Sequence, residues 1–150
     1  MITSTIPGLS IKAHTLKLLT DKKIELYNIT QRVKEFVQST KIRDGFLLIT
    51  SLHTTTALFV NEVQSALLDD VKSILHDWVT EEKPWRHNSP EYSDCERHNA
   101  SSHLRAILLG HSSTVMVQDG EPALGEWQSI IFAELDGPRE REIRLQVIGI

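Results

Sequence analysis

The amino-acid sequence predicts an α+β fold: a mainly antiparallel β-sheet or sandwich with inserted helices, as one domain over residues 1–150. Three observations carry this. Short apolar runs bounded by Gly and polar residues recur along the chain, as buried strands do. Longer segments switch to apolar spacings of three and four residues, the helical period. The strands are separated by turns, with helices inserted and no internal repeat or low-complexity linker, which favours antiparallel pairing within one domain.

From the N-terminus, Ile11–Leu19 alternates loosely and Thr20–Lys23 supplies turn chemistry before Ile24–Tyr27, so these runs are expected to pair as a hairpin. Asn28 or Thr30 can cap a helix to about Ser39, on which Ile29, Val33, Phe36 and Val37 share a face. Lys41–Gly45 leads into a central pair of apolar runs, Phe46–Ile49 and Ala57–Val60. Over Gln64–Val79, Ala66, Leu67, Val71, Ile74, Leu75 and Trp78 recur at helical steps. Glu81–Asn99 has no apolar periodicity, and a structureless stretch of that length tends to be functional or mobile. Asn99 or Ser101 can cap a short helix through Leu109, stopped by Gly110. The rest is β: Thr114–Gln118, then Trp127–Leu135, where Glu126–Gln128 is either a site or simply the start of a strand with Trp127 facing the core. A tight turn at Asp136–Pro138 follows, and the closing strand is Glu142–Ile148, where Ile143, Leu145 and Val147 share a face.

A chain of 150 residues supports one real core and no second comfortable domain. With 40% hydrophobic and 24% charged residues it has an ordinary globular composition. Its formal charge of −4, with no basic run, argues against nucleic acid as a partner. No apolar stretch reaches the length of a membrane span, and Met1–Ser10 lacks the charged and apolar regions of a signal. The single Cys95 fits a reducing compartment, so a cytoplasmic protein is expected.

Chemistry centres first on His53, at the break between the central apolar runs and beside Thr54, Thr55 and Thr56. Such a position suits a hydrogen-bonded turn residue as well as a functional one. Seven histidines invite a metal reading, yet no local ligand spacing supports it: His98 and His103 are five apart, and no H-E-x-x-H or paired-Cys motif occurs. Cys95 is an inert loop thiol unless Arg97 or the following helix lowers its pKa. Arg139 and Arg141 are either a solvated strand start or an anion-binding pair beside a tight turn.

Three segments taken together resemble the YjbQ family, whose members are often labelled secondary thiamine-phosphate synthase. They are LHTTTALFVNE within Gly45–Glu62, NASSHLRAILLG over Asn99–Gly110, and VQDGEPALGEWQSIIFAELDGPRER over Val117–Arg141. The likeness runs from about residue 12 to the C-terminus, and LG-x-WQ with DGPR and HTT is a specific combination. It implies an antiparallel α+β fold, a homotrimer and a polar cleft near subunit boundaries. His53 matches the histidine of HTT, and His103 that of the short helix. His87 matches a loop histidine, followed here by Asn88 in place of the usual Asp. Met116 stands where Pro is common and Ser102 where Ala is common; Glu126 occupies a variable position, and His98 and His111 match no fixed histidine.

Two function classes follow from the resemblance. In the enzyme reading, His53 and His103 are metal ligands or a general acid–base pair, and His87, Asp94 or Cys95 completes the shell of a divalent ion such as zinc. Arg139 would hold an anionic group of a small, phosphorylated substrate, with weak thiamine-phosphate synthase activity as the reaction. In the other reading, the same residues line a non-enzymatic trimeric module that binds a small ligand or a metal.

Overall fold

The computed structural model describes residues 8–150, so the reading of Met1–Ser10 lies mostly outside the described residues. Five strands form one antiparallel sheet in the order β1 (Ser10–Leu19), β8 (Glu140–Gly149), β3 (Gly45–Ser51), β5 (Ser112–Gln118) and β6 (Glu121–Pro122). A second sheet orders β2 (Glu25–Asn28), β7 (Ser129–Glu134) and β4 (Thr56–Asn61). The α+β class and the antiparallel pairing are as expected.

Alternation along the strands builds the main core. Leu16, Leu47, Ile49, Val115, Ile143, Leu145 and Val147 share the buried face of the larger sheet. They meet Leu58, Ile130 and Phe132 from the second sheet, with Val33 and Val37 of α1 (Thr30–Thr40). The other face of the second sheet presents Leu26, Ala57, Ile131 and Ala133 to Leu75 of α2 (Ser65–Trp78) and Ala106 of α3 (Ala100–Leu109). β7 is therefore covered on both sides, and Ile130 through Glu134 are all buried. Fully burying a side chain such as Phe132 contributes roughly 1.5–3 kcal/mol.

The expected hairpin does not form. β1 pairs with β8 along its whole length, from Ser10 opposite Gly149 to Leu19 opposite Glu140, while β2 pairs with β7. The turn between them carries the chain from one sheet to the other. Thr20 anchors it, buried and bonded to the Arg139 backbone and the Glu134 carboxylate. Gly137 meets this turn closely: a Cβ there would collide with the Lys22 carbonyl, so only glycine fits. β3 and β4 likewise belong to different sheets, joined by Leu52–Thr55.

The start of α1 agrees with expectation, and that of α3 departs from it. Asn28 accepts from the backbone N–H of Thr30, while the α3 N-terminus takes its acceptor from the loop, as Ala100 N donates to Asn88 Oδ1. On α2 only Leu75 is buried, and Trp78 is 65% exposed. Arg105 of α3, 1% exposed, reaches under α2 and donates to the carbonyls of Leu75, which also accepts the last helical N–H from Val79, and of Val79, which lies past the helix end. Trp127 does not face the core. Gly125 and Gln128 exchange hydrogen bonds in a tight loop before β7, which leaves Trp127 68% exposed.

Candidate functional site

His53 sits where β3 leaves its sheet. The β3–β8 pairing ends at Ser51 opposite Ile143. At the next position Leu52 N donates to the Glu142 carbonyl, but the Glu142 N–H goes to a side chain, His53 Nε2, at 2.8 Å. The imidazole thus replaces a main-chain acceptor as the chain turns away. Burial pushes the His53 pKa down, as does the Arg141 charge, against weaker opposing pulls from Glu134 and Glu142.

His103 reaches the same place from α3, which packs on β4. Gly110 (φ 88°) ends that helix in a conformation favouring glycine, and its carbonyl accepts from Leu58 N of β4. His53 and His103 together line a cavity of about 630 Å³, with Leu52, Thr54, Ile107 and His111 also on its walls. Burial lowers the His103 pKa, and neighbouring His87 lowers it further; Asp136 and the Thr54 backbone oppose both. His87 lies on the 3-10 turn Arg86–Asn88, its ring edge-on to His103 at 5.1 Å between centroids. The two rings share the wall of a smaller adjoining cavity, with Trp85 and Leu104.

Beside the cavity lies a closed polar network. Arg141 (2% exposed) donates from Nε and Nη2 to the two carboxylate oxygens of Glu134 (0%), both at 2.6 Å, and from Nη2 to Thr55 Oγ1. Thr20 Oγ1 and Asp136 N also donate to that carboxylate. Asp136 in turn receives Asn99 Nδ2 at 2.8 Å and Arg139 Nη2 at 2.7 Å. Arg139 is thus occupied with Asp136 and lies off the larger cavity's wall.

The structure therefore brings His53, His103 and His87 into neighbouring positions. It leaves Asp94 exposed, and Cys95 is half-buried with Sγ 3.9 Å from Asn99 Oδ1. These groups do not fit a zinc centre within one chain. His53 Nε2 already receives an N–H, and among the described residues no three His, Cys, Asp or Glu side chains converge to hold an ion. His111 on the cavity wall, Asp136 beside His103, and buried Arg141 are the participants that sequence reasoning passed over or left ambiguous.

A family profile described as UPF0047 protein YjbQ-like matches residues 14–150. A UPF0047 protein of Methanothermobacter thermautotrophicus is 45% identical over 144 residues, covering 95% of this chain and 96% of its own. The UPF0047 protein YugU of Bacillus subtilis is 36% identical over 138 residues, covering 90% and 98%. A crystal structure from Sulfolobus solfataricus, described as a YbjQ-like protein of unknown function, superposes with a TM-score of 0.88 at 30% identity, covering 95% of this chain and all (100%) of that one.

Proposed function

The chain belongs to the YjbQ-like UPF0047 family, and within it we propose that the protein binds a small organic molecule in the His53–His103 cavity, where His103 moves a proton. One observation carries the reading: the imidazoles of His53 and His103, held by different elements, line a single cavity of about 630 Å³, with His111 also on its wall. Burial and His87 keep His103 neutral near physiological pH, the state a general base requires, and Asp136 nearby favours the imidazolium once the proton arrives. The apolar wall, with Leu52, Ala106 and Ile107, supports a second reading in which the same cavity binds its ligand without turnover.

Thiamine-phosphate synthesis is a narrower version of the enzyme reading. It joins a pyrimidine diphosphate to a thiazole phosphate, and the pyrophosphate leaving group calls for cationic partners. Arg139, the expected partner, is engaged by Asp136, which supports at most a weak side reaction.

We also propose self-association, as the homotrimer the resemblance implies. Its support is the outer face of the larger sheet, where Phe46 (60% exposed) lies opposite Met116 (61%) on one side and Ile148 on the other. An apolar patch of this kind suits a second copy. Light scattering should give a multiple of the 17.0 kDa chain mass, reduced by Phe46→Lys.

The ligand reading is tested by thermal shift against a small-metabolite library, with turnover followed for each hit. Hits should disappear in His103→Gln and persist in His98→Gln, whose ring bonds Asn88 O away from the cavity. Hits that persist in His103→Gln place binding elsewhere.

A further inference from the structure

We propose that His53 serves the cavity as a fixed, neutral hydrogen-bond donor through Nδ1–H, and that the part of the ligand meeting it is an uncharged acceptor group, a carbonyl or ring nitrogen. This rests on the cavity being the ligand site. The first observation is the Glu142 N–H donating to His53 Nε2 at 2.8 Å. A ring nitrogen that accepts carries no proton, so in the neutral imidazole the proton is on Nδ1. Adding a second proton at Nε2 would set two N–H groups against each other and leave a sheet-end amide without its acceptor.

The second observation concerns where that Nδ1–H goes. Among the described residues it has no partner, and no buried side-chain nitrogen or oxygen is left unbonded. Nδ1 is therefore accessible, on a residue that lines the cavity. The same tautomer explains why His53 is a poor metal ligand: neither nitrogen has a lone pair to spare.

The third observation is the lining itself, which contains no Lys, Arg, Asp or Glu; its polar side chains are Ser, Thr and His. The charges nearest His53 are compensated elsewhere: Arg141 and Glu134 hold each other, and Glu142 meets Lys17 across the sheet. A phosphate or carboxylate entering this cavity would find no fixed counter-charge, and an unpaired charge in a partly apolar cavity is costly. A neutral acceptor meets a donor already oriented by the sheet.

The test uses the full-length protein, with 15N-resolved imidazole spectra and three probes: benzamide, its anionic counterpart benzoate, and inorganic phosphate. His53 should show the Nδ1–H tautomer at neutral pH, and benzamide should bind about ten-fold or more tightly than either anion. His53→Gln, whose amide oxygen can take over the Glu142 N–H, should keep the fold and weaken benzamide about five-fold or more. His53→Asn, which places an N–H near the Nδ1 position, should retain most of the affinity. An Nε2–H tautomer, or tighter binding of benzoate or phosphate, overturns the inference and leaves the cavity as a ligand site. Responses to all three probes confined to residues outside the cavity overturn the ligand reading as well.

Discussion

Two polar regions, one sealed and one open, lie side by side under opposite rules. In the Glu134–Arg141 network, both groups are essentially inaccessible, and the carboxylate collects donors from Arg141, Thr20 and the Asp136 backbone. Nothing there is left for a ligand. In the cavity, His53 spends one nitrogen on the sheet and keeps the other accessible, and His103 is only partly buried. The difference teaches how to separate scaffold from site: a buried charge has to be saturated to be tolerated, whereas a working group keeps one valence unspent.

The largest expected effect comes from breaking the sealed region. Glu134→Ala or Arg141→Ala strands the partner's charge in the interior and should cost about 3–5 kcal/mol in urea denaturation. Replacing both, with Glu134→Leu and Arg141→Met, should cost much less than the sum of the single losses. A single variant within about 1 kcal/mol of wild type would erase the contrast. Next comes Arg105→Ala, which unties the end of α2; losing charge-assisted bonds to Leu75 and Val79 should cost about 2–3 kcal/mol, seen in the same measurement.

In the open region the order inverts. His103→Gln should shift stability by less than about 1 kcal/mol, because the ring is only partly buried, while abolishing ligand-induced thermal stabilisation. The smallest effect is the pH dependence of stability. His53 and His103 both titrate below the ordinary ~6.5 when folded, so the unfolded chain binds more protons in that window. Stability present above ~6.5 should therefore decline as pH falls toward the lowered folded values, and His53→Gln should flatten the urea midpoint between pH 5 and 7. Glu25 acts only further down. Burial would raise it, but bonds from Lys22 and Lys72 hold it at about 2, so its contribution is lost below its ordinary 4.5.

Much of the strand inventory was legible because alternation is local. The parity that puts Ile143, Leu145 and Val147 in the core also points Arg141 inward, a signal present in the sequence but overshadowed by the exposed appearance of Arg-Glu-Arg-Glu. Pairing was less legible: a turn at Thr20–Lys23 looks like a hairpin until β8 and β7, more than a hundred residues later, claim its two arms. His53 and His103 were reached through the family resemblance, since nothing in their spacing announces a shared cavity. His111 matches no motif, yet the α3–β5 connection carries it to the cavity wall.

The bond from Glu142 to His53 also makes the backbone a witness to the site. Because this amide rests on an imidazole and not on a carbonyl, its protection from deuterium exchange depends on one side chain holding its rotamer. A ligand that draws the ring into the cavity would bare the amide and speed its exchange. One that only accepts from Nδ1–H would steady the ring and slow exchange. The end of a β-strand thus registers, at a single resolvable proton, whether His53 stays seated or moves when the cavity fills.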